Sequence, residues 1–228
     1  MGQICVEKVK SQPVFSADNV KYTYLCTHKN QCMNFLEEKI LADGRVYAGD
    51  ILKVDSFINH RIDMDVMRQA ACEFKRRYEG ERVDKILTIE ASGIAIAVML
   101  ANMYDVPVVF AKKAETANSP DDTYRSQAFS FTRKEMNDIV VSRPYISPGE
   151  RILIVDDFLA TGQAARALID IVRQAGAEVV GLGMLVEKGQ QEGGKSLRGD
   201  GYRVESIAII DSMDHGTQTI RFRNHSAQ

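Results

Sequence analysis

The chain has 228 residues, 45% of them hydrophobic, with a net charge of −2 at pH 7 and a pI of about 6.1. That length and apolar content suit one domain with a sizeable core, and the near-neutral charge argues against a general nucleic-acid binder. The sequence contains no apolar run approaching the roughly 18 residues that a membrane-spanning helix needs. Of the cysteines, Cys5, Cys26 and Cys32 fall within the first 32 residues and Cys72 lies further on. Their spacing fits neither a disulfide scaffold nor a standard zinc finger. Met1 is not followed by the basic stretch and apolar core of a secretion signal, so a reducing, cytoplasmic setting is the default.

In chain order, the first segment that carries chemistry spans residues 83–110. Residues 83–89 (VDKILTI) predict a strand, Glu90-Ala91-Ser92-Gly93 a tight turn of small residues, 94–103 an apolar helix and 106–110 a second strand. Together they form one βαβ unit. By itself the turn reads more readily as an ordinary helix start with Ser92 as N-cap. Residues 113–130 are polar, contain Pro120 and show no periodicity, which predicts a loop.

Residues 151–164, RILIVDDFLATGQA, are the most informative stretch. The aliphatic run 152–155 predicts a strand buried on both faces of a parallel sheet, with Asp156 and Asp157 at its carboxyl end. In open α/β sheets that edge is where ligands bind. Ala160, Thr161 and Gly162 let the backbone approach an anion closely, and 164–174 has helical periodicity up to Gly176. A helix N-terminus facing such a loop favours phosphate without requiring Lys or Arg. Alternation along a strand would send Asp156 and Asp157 to opposite sides, so they are not expected to clamp one bond as glycosidase carboxylates do. A strand over 178–187 follows, and Lys188 lies just beyond it, where a solvated lysine is also an ordinary strand terminus.

The ensemble of hydrophobic run, two acids and T-G loop resembles the phosphate-sugar motif of the type I phosphoribosyltransferase family. The resemblance implies an α/β fold: a mostly parallel twisted sheet with flanking helices, capped by a small amino-terminal hood at residues 34–65. It implies that Asp156 and Asp157 bind the ribose hydroxyls of 5-phosphoribosyl 1-pyrophosphate (PRPP). The 5-phosphate would sit on Ala160, Thr161, Gly162, Gln163 and Ala164, and the pyrophosphate on Ala91, Ser92 and Gly93 with Lys113, next to Lys112. Negative charge near the sugar suits an oxocarbenium-like centre as pyrophosphate leaves. Mg²⁺ is implied as a companion of PRPP, bridging its oxygens with few protein ligands and no dedicated cage. In the family a loop comparable to 113–130 closes over the reacting centre and excludes water. Homodimers are also implied.

Within that family, ILKVDSFINHRID (residues 51–63), ILTIEASGIA, VPVVFAKK, VDDFLATGQAA, VEKGQQ and GYRVES look, in order and spacing, like the bacterial xanthine-specific branch. That likeness implies a base site of Leu52, Asn59 and Lys188, a product nucleotide XMP and a place in purine salvage. Lys188, a pure donor, would accept a 6-oxo group and reject a 6-amino group, while Asn59 offers a donor and an acceptor but also fits a turn before His60. Phe158 would lie against the purine, where stacking is worth roughly 1–3 kcal/mol; it fits plain core equally well. Two departures stand out. Ala160 occupies the place where hypoxanthine-guanine members carry an Asp that handles the ring proton, leaving the catalytic base unassigned. Thr161 stands where many xanthine enzymes have Asn, and keeps a hydroxyl donor for phosphate. A guanine or hypoxanthine enzyme is the nearer alternative. A PRPP-sensing repressor is the more distant one, because it would need a DNA-binding module ahead of the matched region. Residues 33–40 look like the start of the family's first helix, which makes 1–32 an extension, 33–214 the domain, and 215–228 a variable tail.

Overall fold

The computed structural model describes residues 33–114, 122–130 and 135–223. The predicted extension 1–32 therefore lies outside the described residues. In chain order the elements are α1 (Phe35–Asp43), β1 (Arg45–Tyr47), β2 (Ile51–Lys53), a π-helical turn (Asp55–Asn59), α2 (Met64–Arg77), β3 (Lys85–Ile89), α3 (Gly93–Tyr104), β4 (Val108–Ala114), β5 (Thr123–Ser130) and β6 (Glu135–Ser142). There follow β7 (Arg151–Leu159), α4 (Gln163–Gln174), β8 (Glu178–Lys188), α5 (Gly193–Gly199), β9 (Val204–Asp214) and β10 (Thr219–Phe222).

The aliphatic runs in β3, β7, β8 and β9 are buried on both faces, as unbroken apolar strands require. They lie in an eight-stranded sheet of order β10-β9-β8-β7-β3-β4-β6-β5. The five strands from β9 to β4 run parallel, while β10, β6 and β5 add antiparallel edges. From β3 the chain moves to β4 on one side and later returns to β7 on the other. The carboxyl ends of β3 and β7 thus flank the topological switch point, where open α/β sheets bind ligands.

One face of the sheet carries α1, α2, α3 and the β1–β2 ribbon over a core that includes Leu36, Phe57, Met67, Phe74, Tyr78, Leu153 and Val155. The other face carries α4 and α5 over Leu87, Ile152, Ile154, Leu168, Ile171, Leu197 and Met184. α2 buries Val66, Met67, Ala70, Ala71 and Phe74 at helical spacing, is capped by Asp63 and ends on Lys75, Arg76 and Arg77, which complement its dipole. Small residues in β8 are set by this packing. A Cβ on Gly181 would lie 2.6 Å from Tyr78 Cε1, and one on Gly183 would lie 3.1 Å from Phe74 Cδ1.

Several boundaries differ from the sequence expectation. β7 does not stop before the acids but continues through Asp156, Asp157 and Phe158 to Leu159, and β8 includes Lys188. β4 begins later than expected and takes in Lys112 and Lys113. The stretch 113–130, expected as a loop, is in part strand. Thr123–Ser130 forms β5, paired antiparallel along β6 and burying Tyr124 and Ala128; residues 115–121 lie outside the described residues. The tail boundary drawn after Asp214 falls inside a hairpin, because β10 folds back on β9.

Candidate active site

The site begins where β7 leaves the sheet. Alternation along β7 breaks across its two acids: Val155 and Phe158 share the hood-side core, whereas Ile154 and Leu159 share the opposite one. The expectation that Asp156 and Asp157 diverge is corrected accordingly. Both are buried, and the Asp156 carboxylate accepts the Asp157 N–H at 2.9 Å. Burial, reinforced by the Asp157 charge, raises the Asp156 pKa well above the ordinary carboxylate value, against the opposing pull of the Asp157 N–H and the Lys113 ammonium. Such a pair is primed to receive hydroxyl donors or positive charge.

Beyond the acids, Ala160, Thr161 and Gly162 turn the chain into α4, which starts at Gln163. Gly162 has φ +81°, a left-handed conformation that a side chain resists. Arg166 N–H bonds the Gly162 carbonyl at 2.9 Å, so the first turn is formed. The N–H groups of Gln163 and Ala164 precede any intrahelical acceptor and project from the helix end. The loop is buttressed from behind: Gly193 N–H donates to the Ala160 carbonyl at 3.2 Å, and a Cβ on Gly193 would stand 2.6 Å from Gly162 N. The Gly193-Gly194 pair was not singled out from sequence; its only signal is a doubled glycine opening a short helix.

Across the switch point, Glu90, Ala91, Ser92 and Gly93 connect β3 to α3, and the Glu90–Ala91 peptide is cis. Ser92 occupies the cap position but makes no capping hydrogen bond through its side chain, so the capping explanation of this serine fails. Gly93 packs directly over Asp156 and Thr88, and a Cβ there would lie 2.6 Å from Asp156 Oδ1. Thr88 Oγ1 is buried without a hydrogen-bond partner among the described residues. Lys113, exposed on β4, is tied to this turn by its N–H, which donates to Glu90 Oε1 at 2.8 Å. Loops 90–93 and 160–164, the two acids and Lys113 thus lie at one edge of the sheet.

The base-side residues occupy the hood-facing surface. Lys188 Nζ, half-buried, donates to the Asp50 carbonyl at 2.9 Å in the turn between β1 and β2. Burial lowers its pKa below the ordinary lysine value, partly countered by the Asp50 charge. One N–H is spent on Asp50 and the others remain able to meet an acceptor. Leu52 does not present its side chain outward, since that side chain is buried in the hood core. Asn59, exposed, ends the π-helical turn rather than a simple bend. Phe158 is partly buried against the hood-side core, so it keeps a surface to offer. Asp50 was not foreseen as Lys188's partner, because the two stand 138 positions apart.

Comparison with known proteins follows this geometry. The family described as "Phosphoribosyl transferase domain" matches residues 56–217. This chain belongs to that family. Among phosphoribosyltransferases, it is 51% identical over 192 residues to the xanthine phosphoribosyltransferase of Clostridioides difficile, covering 84% of this chain and 100% of that one. It is 53% identical over 183 residues to xanthine phosphoribosyltransferase 1 of Clostridium perfringens, covering 80% and 96%. Among solved structures it is similar to the adenine phosphoribosyltransferase of Rhodothermus marinus, with TM-score 0.63, 25% identity, and coverage of 75% and 96%. The adenine phosphoribosyl transferase of Trypanosoma brucei superposes with TM-score 0.64 at 19% identity, covering 76% and 78%, which speaks to fold alone. The type I phosphoribosyltransferase fold, with its mostly parallel sheet and flanking helices, is the fold of this chain. Among the described residues no helix is long and apolar enough to cross a membrane, and no cluster of three or more His, Cys, Asp or Glu is arranged to hold a metal.

Proposed function

We propose that this phosphoribosyltransferase transfers the 5-phosphoribosyl group of PRPP to a ring nitrogen of xanthine, giving XMP and pyrophosphate. The observation that carries the reading is the buried Asp156–Asp157 pair set between two anion-receptive turns, 91–93 and 160–164, at the switch point of the sheet. PRPP has a phosphate at one end of its ribose and a pyrophosphate at the other, and this arrangement supplies a matching receptor. Gln163 and Ala164, with Ala160, Thr161 and Gly162, hold the 5-phosphate by main-chain N–H groups and the helix dipole. Ala91, Ser92, Gly93 and Lys113 hold the pyrophosphate, and Asp156 and Asp157 accept the ribose hydroxyls. The bond from C1′ to the pyrophosphate oxygen breaks and a bond from C1′ to the base nitrogen forms. The acid pair stabilises the positive charge that grows on the sugar. Ala160 offers no carboxylate to take the ring proton of the base, which passes to the departing pyrophosphate or to water.

Mg²⁺ fits as a companion of the substrate rather than as a resident ion. Two adjacent carboxylates are too few for a cage, but they suit an ion whose other ligands are PRPP oxygens and water. When bound, it neutralises pyrophosphate charge. For the base, relatives about 50% identical carry the name xanthine phosphoribosyltransferase. The donor-only head of Lys188 supports a 6-oxo purine over adenine. A cytoplasmic homodimer completes the reading.

The test is nucleotide formation from xanthine, guanine, hypoxanthine and adenine side by side, compared as kcat/KM, with and without EDTA. Xanthine is expected to lead, with no turnover once the divalent ion is chelated. A guanine lead would move the reading to the hypoxanthine-guanine branch. Lys188→Gln is expected to narrow the gap between xanthine and adenine by about tenfold or more; unchanged selectivity would remove Lys188 from the base site.

A further inference from the structure

Gln218 lies in the turn between β9 and β10 with a left-handed backbone, φ +56°. Its side-chain amide reaches across to the hood and pairs with β1 as another strand would: Oε1 accepts Val46 N–H at 3.0 Å and Nε2 donates to the Val46 carbonyl at 2.8 Å. Nε2 also donates to the His215 carbonyl at 2.7 Å, which fixes the amide's orientation. Because both main-chain groups of Val46 are turned to Gln218, the facing pair Val46–Leu52 is the non-hydrogen-bonded kind in the antiparallel ribbon. The N–H and C=O of Leu52 therefore project from the opposite edge of the ribbon. That edge runs on into the turn whose Asp50 carbonyl receives Lys188. The ribbon is pinned at two places, by Gln218 on its outer edge and by Lys188 at its turn.

Beside Gln218 the seam is loosely filled. A cavity of about 110 Å³ sits there, lined by Ile40, Leu41, Val46 and Ile220 together with Gln218 itself. Apolar packing is incomplete where β1 meets the β9–β10 turn, and the amide clamp is a directional contact at that place. We infer that Gln218 is a positioning residue for base recognition: it sets where the Leu52 edge and the Asp50–Lys188 contact stand over the purine, without touching substrate. This rests on the base site proposed above, with Leu52 contributing main-chain rather than side-chain groups.

The experiment uses the full chain and two near-isosteric variants. Gln218→Met removes all three side-chain hydrogen bonds at nearly constant length. Gln218→Glu keeps an acceptor for Val46 N–H but sets a carboxylate against two carbonyls. Both are expected to raise KM for the base about tenfold, because small displacements at a site are costly, with KM for PRPP and kcat at saturation within about twofold. Ile220→Ala enlarges the cavity while sparing the clamp; it is expected to lower Tm and leave base KM unchanged. Base KM unchanged in both Gln218 variants, or kcat and both KM values worsening together with Tm, would overturn the inference. Each variant is assayed with whichever purine the wild type prefers. The wild-type ranking then tests the xanthine assignment and the variant-to-wild-type ratio tests Gln218; a wild type that turned over no purine would overturn both.

Discussion

Asp156 shows what a binding site costs a fold. A carboxyl group buried next to a second acid is held protonated to a higher pH than in the unfolded chain. The sign of the linkage follows. A carboxyl whose folded pKa is raised contributes its full stability below its unfolded pKa, about 3.9, and loses it as pH rises from there through the folded value. At neutral pH the ligand-free protein carries that burden. Asp156→Asn keeps the shape and an oxygen to accept the Asp157 N–H, but no charge. The variant is expected to melt about 2–4 °C higher than wild type at pH 7, with the gain shrinking towards pH 4, while kcat/KM falls by roughly a hundredfold. Thermal melts across pH, alongside steady-state rates, check both halves. A variant no more stable than wild type at pH 7 would mean that the pair is already neutralised by its surroundings.

At the scale of elements, the phosphate loop is shaped by a neighbour that never needs to touch phosphate. The first residue of α5 lies against the loop so closely that Gly193→Ala would bring a methyl group within 2.7 Å of Thr161 C and 2.6 Å of Gly162 N. Those are main-chain atoms with nowhere to swing, so the loop itself must move. The expected result is a rise of about tenfold or more in KM for PRPP, with base KM little altered; a change confined to the base would detach α5 from the phosphate site. This dependence illustrates what the sequence does and does not disclose. β3, β7 and β8 were legible because unbroken aliphatic runs demand burial on both faces, and the 160–164 turn because small residues ahead of a helical period have a specific meaning. β5 was hidden, since among its described side chains TYRSQAFS buries Tyr124 and Ala128 and it gains its strand from pairing with β6. The break in alternation at Asp156–Asp157, the Asp50 carbonyl on Lys188 and the Gly193 buttress are tertiary facts. Each joins residues whose local patterns say nothing about one another.

At the scale of the whole molecule, the described fold opens at a helix start that is tied to the sheet by residues of the domain itself. α1 opens with a closed capping box: Asn34 accepts the N–H groups of Leu36 and Glu37, and Glu37 accepts that of Asn34 at 3.0 Å. The Asn34 amide also donates to the Ile207 carbonyl in β9 at 2.7 Å, fastening the helix start to the sheet. Every one of these partners lies after residue 33. The family match begins later still, at residue 56, and the whole Clostridioides difficile relative aligns within 192 residues of this chain. A chain shortened to begin at Met33 keeps these contacts and the whole matched region, and is expected to keep its Tm within about 2 °C, a change of under about 0.5 kcal/mol. Its kcat/KM for the preferred purine should stay within about twofold. Side-by-side melting and steady-state kinetics of the two lengths decide the matter. A loss of several degrees would show that residues 1–32 pack on the domain, and a selective loss of base affinity at constant Tm would place them at the hood.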